Sequence, residues 1–235
     1  VLNGGVFHLV LLGQNYFNLN VESSLISRNE VTGTDILSPT LFHMDNTRPV
    51  KFNLINSTIV DNKVTGTGYT FADHANVTIQ SSIMWNNQNG SNNDSNIDAA
   101  SASTIQHSLI GGVDLSTSNN NLDGTLDAGH YFANADNGDY SLLPWNSNPA
   151  VNAGDNSFLS STVTKDLAGN SRTVGVVDLG AYEVQEIENP FEGTLNNNNE
   201  LEFTYTGSPA ALAIKNALGT AADNSWKEKD NILYR

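Results

Sequence analysis

The sequence predicts an all-β fold built as a right-handed parallel β-helix. Three observations predict it: a phrase repeated four times, a low charge content and a large share of asparagine. The phrase reads VESSLISRN at 21–29, LINSTIVDN at 54–62, IQSSIMWNN at 79–87 and IQHSLIGG at 105–112. An aliphatic residue opens each copy (Val21, Leu54, Ile79, Ile105). A serine stands three positions on (Ser24, Ser57, Ser82, Ser108), and a second apolar residue two after that (Ile26, Ile59, Met84, Ile110). Three copies close on Asn29, Asn62 and Asn87, and the fourth puts Gly111 and Gly112 near that point. The copies begin 33, 25 and 26 residues apart, a spacing typical of stacked repeats. Charged residues make up 15% of the chain, too few for long surface helices. The 34 asparagines carry the polar share instead, and asparagine favours turns.

One such repeat cannot bury its apolar side alone, whereas stacked copies turn the two aliphatic columns into stripes. The columns lie five positions apart, an odd number, so strict alternation would send them to opposite faces. A bend near the serine column puts both inside. Serines and asparagines can each form a ladder, with the asparagines at a corner in a strained backbone region. Leucine-rich repeats are excluded by the absence of LxxLxLxxN spacing, and the crossover rule favours the right hand. Before the first copy, the apolar run 6–12 fits a buried strand of a preceding turn. Between the first two copies Pro39 belongs in a turn, because it cannot serve a central strand. The Asn-rich stretch 88–101 has almost no apolar content and reads as a loop.

The 235 residues carry ten basic and 25 acidic groups, a net charge of −15. That argues against nucleic acid as a partner, since phosphate binding needs a basic surface, and against an anionic membrane for the same reason. Without cysteine there is no disulfide, thiolate metal site or thiol chemistry. No apolar run approaches the ~18 residues of a membrane span. The chain opens at Val1 within a strand-like stretch, so it is expected to be a mature product or a fragment of a longer protein. Composition shifts after Glu183. Residues 1–183 form the repeat body, 184–188 a linker, and 189–235 short strands joined by Asn and Gly turns.

Candidate chemistry is sparse. The five histidines (His8, His43, His74, His107, His130) show neither HxH nor HExxH spacing, and structural roles are favoured. Asp123, Asp127, Asp136 and Asp139 could surround Ca²⁺, although no EF-hand or nonapeptide spacing is present and Asx turns explain the same residues. Compact aspartate clusters of pectin-cleaving β-helices are missing. Arg28 and Arg172 are weighed as partners for a lyase base, and Arg172 falls in the closing motif. Trp85, Trp145, Tyr69 and Phe71 could stack on sugars if exposed, with core packing favoured for each. The serine column has no paired histidine to make a nucleophile. No catalytic, metal or cofactor residue is assigned.

Two stretches carry a family resemblance. NGDYSL at 137–142, NPAVNAGD at 148–155 and DLAGNSRTVGVVDLGAYE at 166–183 resemble the closing segment of bacterial right-handed β-helix surface proteins of the choice-of-anchor type. That resemblance covers most of 17–183 and implies an exported surface protein with an adhesive or glycan-related role. The tail resembles the type A C-terminal sorting domain of the type 9 secretion system of Bacteroidota. Asn189, Pro190 and Phe191 followed by Leu195 match its opening, and AIKNALG, with Asn216, Leu218 and Gly219, matches its middle strand and turn. Lys215 replaces the usual aromatic, the last Gly-x-Tyr strand and basic end are missing, and the tail is short for the family. The resemblance implies a small β-sandwich, truncated or divergent at its end. These seven matching residues would be read by the outer-membrane translocon and shuttle barrel, and a sortase-like peptidase would follow. The protein would then be secreted or held at the cell surface and bind an extracellular glycan. The alternative is a polysaccharide lyase or hydrolase whose catalytic turns lie outside this segment.

Overall fold

The computed structural model describes residues 7–9, 17–32, 41–44, 50–65, 71–72, 76–90, 103–125, 131–145, 148–187, 191–195, 201–205, 227–229 and 232–234. Among them the fold is all-β, and its regular helix is confined to two single 3₁₀ turns, Ala135–Asn137 and Asn156–Phe158. The Pro39 turn, most of the 88–101 loop and most of the 6–12 run lie outside the described residues.

The chain travels in circuits. The first comprises β1 (Phe7–Leu9), β2 (Phe17–Glu22), β3 (Leu25–Ser27) and β4 (Glu30–Val31). The second comprises β5 (Phe42–Met44), β6 (Val50–Ile55), β7 (Thr58–Val60) and β8 (Lys63–Val64). β9 (Phe71–Ala72), β10 (Asn76–Gln80) and β11 (Ile83–Trp85) follow, then β12 (Ser103–Gln106) and β13 (Leu109–Ile110). Successive circuits add strands to the same sheets, giving the orders β1-β5-β9, β12-β10-β6-β2, β13-β11-β7-β3 and β4-β8, so that all four circuits contribute to the β2 and β3 sheets. Every pairing in these sheets is parallel.

The register follows the repeat. Val21, Leu54, Ile79 and Ile105 are Cα partners in the β2 sheet, as are Ile26, Ile59, Met84 and Ile110 in the β3 sheet. Both columns pack into one core with Phe42, Phe52 and Val77. The five-residue offset is resolved by one backbone feature. Ser23, Asn56, Ser81 and His107 stand just before the serine column and all have φ between 44° and 49°. One left-handed residue turns the strand through a corner and reverses the inward parity.

A second corner lies five residues further on, at Arg28, Asp61, Asn86 and Gly112, all with positive φ. Here the sequence expectation needs correcting. The strained residues are these, not Asn29, Asn62 and Asn87, which follow them. The asparagines have conventional backbone angles and spend their amides on the ladder. Asn29 Nδ2 donates to Asn62 Oδ1 at 2.8 Å, and Asn62 Nδ2 to Asn87 Oδ1 at 2.8 Å.

The outer face of the β3 sheet is apolar as well. Leu25, Val60, Ile83, Trp85 and Leu109 point away from the first core into a second one, built with Tyr131, Phe132, Tyr140, Leu142 and Leu179. That cover comes from residues 131–184. It includes the antiparallel pair β14 (Phe132–Asn134) and β15 (Asp139–Leu142) and long stretches of turn. Among the described residues the parallel strands end at Ile110, and residues 131–184 cover the outer face of the β3 sheet. Val184 belongs to this second core. In the tail, β16 (Phe191–Leu195), β17 (Leu201–Tyr205), β18 (Lys227–Lys229) and β19 (Ile232–Tyr234) form an antiparallel sheet in the order β16-β17-β19-β18.

Candidate functional site

Most buried polar groups in the body have structural work. From the second circuit on, each serine of the column accepts from the previous circuit: Ser24 N donates to Ser57 Oγ, Ser57 N to Ser82 Oγ and Ser82 N to Ser108 Oγ, each at 3.1 Å. Ser108 N ends the row on Asn121 Oδ1 at 3.0 Å. Each hydroxyl donates to the carbonyl two residues back, at 2.8 Å. These serines are spent on the stack and are not poised as nucleophiles.

The closing motif makes a buried ionic knot. Arg172 is fully buried. Its guanidinium donates to Glu183 Oε2 at 3.1 Å and to the carbonyls of Asp178, Gly180 and Tyr182. Glu183 also accepts from the Val174 and Asp178 amides, and Asp178 accepts from Asn152 and Val184, each at 2.6 Å. Burial pushes the Glu183 carboxyl up to about 7, raises Asp178 and lowers Arg172. The knot shapes a loop that lies against the stack. Gly180 N donates to Ser81 O, Ala181 N to Thr58 Oγ1, and Asn56 Nδ2 to Asp178 O. A Cβ on Gly180, whose φ is +85°, would come within 2.4 Å of Thr58 Oγ1.

A second clasp sits at the other corner. Tyr140 donates to Asp61 Oδ2 at 2.5 Å and accepts from Arg28 Nε at 2.9 Å, while Arg28 also donates to the carbonyls of Ala135 and Asp136. Burial, then the bond to Asp61, pushes the Tyr140 hydroxyl up to about 12. Both arginines weighed for catalysis, Arg28 and Arg172, thus hold the cover in place.

Of the aspartates weighed for calcium, the described Asp123, Asp136 and Asp139 are not drawn together. Asp123 Oδ1 accepts from the amide and hydroxyl of Thr125, and Asp139 Oδ1 from those of Ser141, so both carboxylates close their own turns. Asp136 is exposed, and Asp127 lies outside the described residues. Among the described residues no three His, Asp or Glu side chains converge as metal ligands would. His107, half-buried at a left-handed corner, contacts Ala153 O, Asn120 and the edge of Phe158. Trp85 packs on Tyr131 at 5.1 Å between centroids, inside the second core. Of the tail residues, Asn189, Pro190, Asn216, Leu218 and Gly219 lie outside the described residues. Phe191 and Leu195 begin and end β16, opposite Tyr205 and Leu201 of β17.

Among the described residues, uncharged polar side chains gather on two surfaces. The outward face of the β2 sheet carries amides and hydroxyls. Asn20, Asn53, Thr78 and Thr104 share one row, and Glu22, Ile55, Gln80 and Gln106 another. The amides bond along their rows, Asn53 to Asn20 at 2.7 Å and Gln80 to Gln106 at 3.1 Å. The second surface is an open cleft of ≈ 410 Å³ in the cover, between residues 156–164 and 171–173. Ser160, Ser161, Thr164, Ser171 and Thr173 line it, with Leu159 and Val163 as its apolar wall. A cleft of ≈ 300 Å³ on another side, bordered by Asp166, Glu183 and Glu186, is acidic. Sequence reasoning missed the hydroxyl cleft, because its walls are separated in the chain and carry no motif. The only hint was the run SSTVT at 160–164.

No family model, curated protein or solved structure matches this chain.

Proposed function

We propose that this chain is a non-catalytic, exported surface protein: a right-handed parallel β-helix that binds extracellular glycan, followed by a type 9 secretion sorting domain. The observation that carries the reading is the circuit pattern, in which each of four successive turns of chain adds one parallel strand to the β2 sheet and one to the β3 sheet. Such a stack repeats its outward side chains at the ~4.8 Å strand spacing. Its β2 face carries amides and hydroxyls together with Glu22 and Lys51, a polar surface of the kind that polyhydroxylated polymers lie along. Arg28, Arg172 and the serine column are engaged in packing. For the tail, support comes from the text NPF…L and AIKNALG and from the antiparallel sheet β16–β19. Its role is addressing: the outer-membrane translocon reads it, and a sortase-like peptidase then removes it or leaves it attached.

Incubation of the protein with neutral and acidic polysaccharides tests the first half. Retention without cleavage is expected, and release of oligosaccharides would replace binding by catalysis. Fusing residues 184–235 to a passive reporter in a Bacteroidota host tests the second. Export to the surface is expected, and a reporter held in the periplasm would overturn the sorting assignment.

A further inference from the structure

We propose that the cleft between residues 156–164 and 171–173 is the glycan-binding site, and that it takes a neutral sugar. The inference rests on the glycan-binding reading above and adds a location and a ligand charge. Three features carry it.

The first is chemistry. None of the lining residues is ionisable, on a chain whose net charge is −15. An anionic uronate would meet the repulsion of the whole molecule with no basic group in the cleft to offset it. A cation would find no carboxylate there. Hydroxyls that donate and accept, beside a small apolar wall, match a neutral polyhydroxylated ring with its own apolar face.

The second is availability. Ser160 Oγ bonds Thr162, and Ser171 Oγ bonds the Thr173 carbonyl. Ser161, Thr164 and Thr173 make no side-chain hydrogen bond within the described residues, and all three are exposed. Those hydroxyls are free for a ligand.

The third is preorganisation. Ser160 N donates to Glu22 Oε1 of β2 at 2.6 Å, which ties one wall to the stack. Asn156 bridges Gly175 O and Val177 N at 2.9 and 2.8 Å. The other wall, 171–173, is centred on the fully buried Arg172, and Arg172 N donates to Thr164 O at 3.1 Å. A cleft of this size with fixed walls falls in the range of small-ligand sites.

The test uses the full chain with neutral gluco-, manno- and xylo-oligosaccharides and, alongside, oligogalacturonate, measured by calorimetry. Binding of at least one neutral oligosaccharide is expected, with oligogalacturonate weaker. Thr173→Trp, at an exposed position, should fill the cleft and lower affinity by about tenfold or more. Ser161→Ala should lower it by a few fold and serves as the variant least able to disturb folding. Circular dichroism melts should match wild type for both. If neutral oligosaccharides bind both variants as tightly as wild type, the cleft assignment fails while glycan binding stands. Preference for oligogalacturonate overturns the neutral-ligand inference. No binding of any glycan by wild type overturns both the cleft and the function it rests on.

Discussion

A serine hydroxyl is short enough to reach the carbonyl two residues back and still accept an amide from the neighbouring strand. That double duty explains why Ser57 and Ser82, both fully buried, are stable inside the stack. The asparagine row works differently, because one amide can both donate and accept. Asn62 sits mid-row: its Oδ1 accepts from Asn29, and its Nδ2 donates to Asn87 Oδ1 and to the Ile26 and Val60 carbonyls. Asn29 lies at the end of the row and is half-buried. Replacing Asn62 by Ala removes the acceptor of the Asn29 N–H and the amide donor to the Ile26 carbonyl, while Asn87 Oδ1 keeps the Asn62 N–H; each lost partner of a buried group costs ~1–3 kcal/mol. Urea unfolding should therefore show Asn62→Ala destabilised by roughly 3 kcal/mol and Asn29→Ala by less than half of that. Equal losses at the two positions would mean that the row is no ladder in solution.

Gly180 seats the closing loop on β7 and β11. Gly180→Ala forces a left-handed residue to carry a Cβ and drives that Cβ toward Thr58 and Ile83. A loss of roughly 2–4 kcal/mol is expected from strain and displacement together. The same change at Gly169, where a Cβ would meet nothing within 4 Å, should cost ~1 kcal/mol, for backbone strain alone. Matching losses at the two sites would show that the loop does not seat as described. The knot beneath that loop also titrates. Burial raises Glu183 from an ordinary 4.5 to about 7, so the folded state holds its proton more tightly than the unfolded chain does. Its stabilisation is complete below about 4.5 and is lost as pH rises toward 7. Asp178, also raised by burial, acts with the same sign. Glu183→Gln should lower stability overall and flatten its fall across that window. An unchanged slope in the variant would assign the titration to another group.

The stacking elements were legible because identical jobs recur in identical places. Ser24, Ser57, Ser82 and Ser108 line up in the text for the same reason that they line up in space. The corners escaped notice as columns. A left-handed residue is selected by its backbone, so Ser23, Asn56, Ser81 and His107 share φ but not identity. The cover escaped for another reason. Thr58 and Ala181 meet across 123 positions, and nothing local in either predicts it. One sign was available in the unbroken apolar runs TIV at 58–60 and IMW at 83–85. Runs without alternation mark a strand buried on both faces, and here the second face is the one that residues 131–184 cover.

At the scale of the molecule, the β3 sheet is a shared wall. Its inward residues Ile59 and Met84 serve the first core, and its outward residues Val60, Ile83 and Trp85 the second. Neither core can lose its packing without exposing one face of the same strands. The body is therefore expected to unfold in a single transition rather than by shedding its cover. Two optical probes separate these possibilities. Near-ultraviolet circular dichroism reports the Trp85–Tyr131–Phe132 cluster of the second core, whose centroids lie 5.1 and 6.5 Å apart. Far-ultraviolet circular dichroism reports the sheets. Their thermal midpoints should coincide in the wild type. Ile83→Ala, which opens a cavity under the cover, should lower both together by an amount set by a loss of ~2–5 kcal/mol. A near-ultraviolet midpoint well below the far-ultraviolet one would make the cover a separate unit. The glycan cleft, whose walls belong to that cover, would then be lost before the stack itself melts.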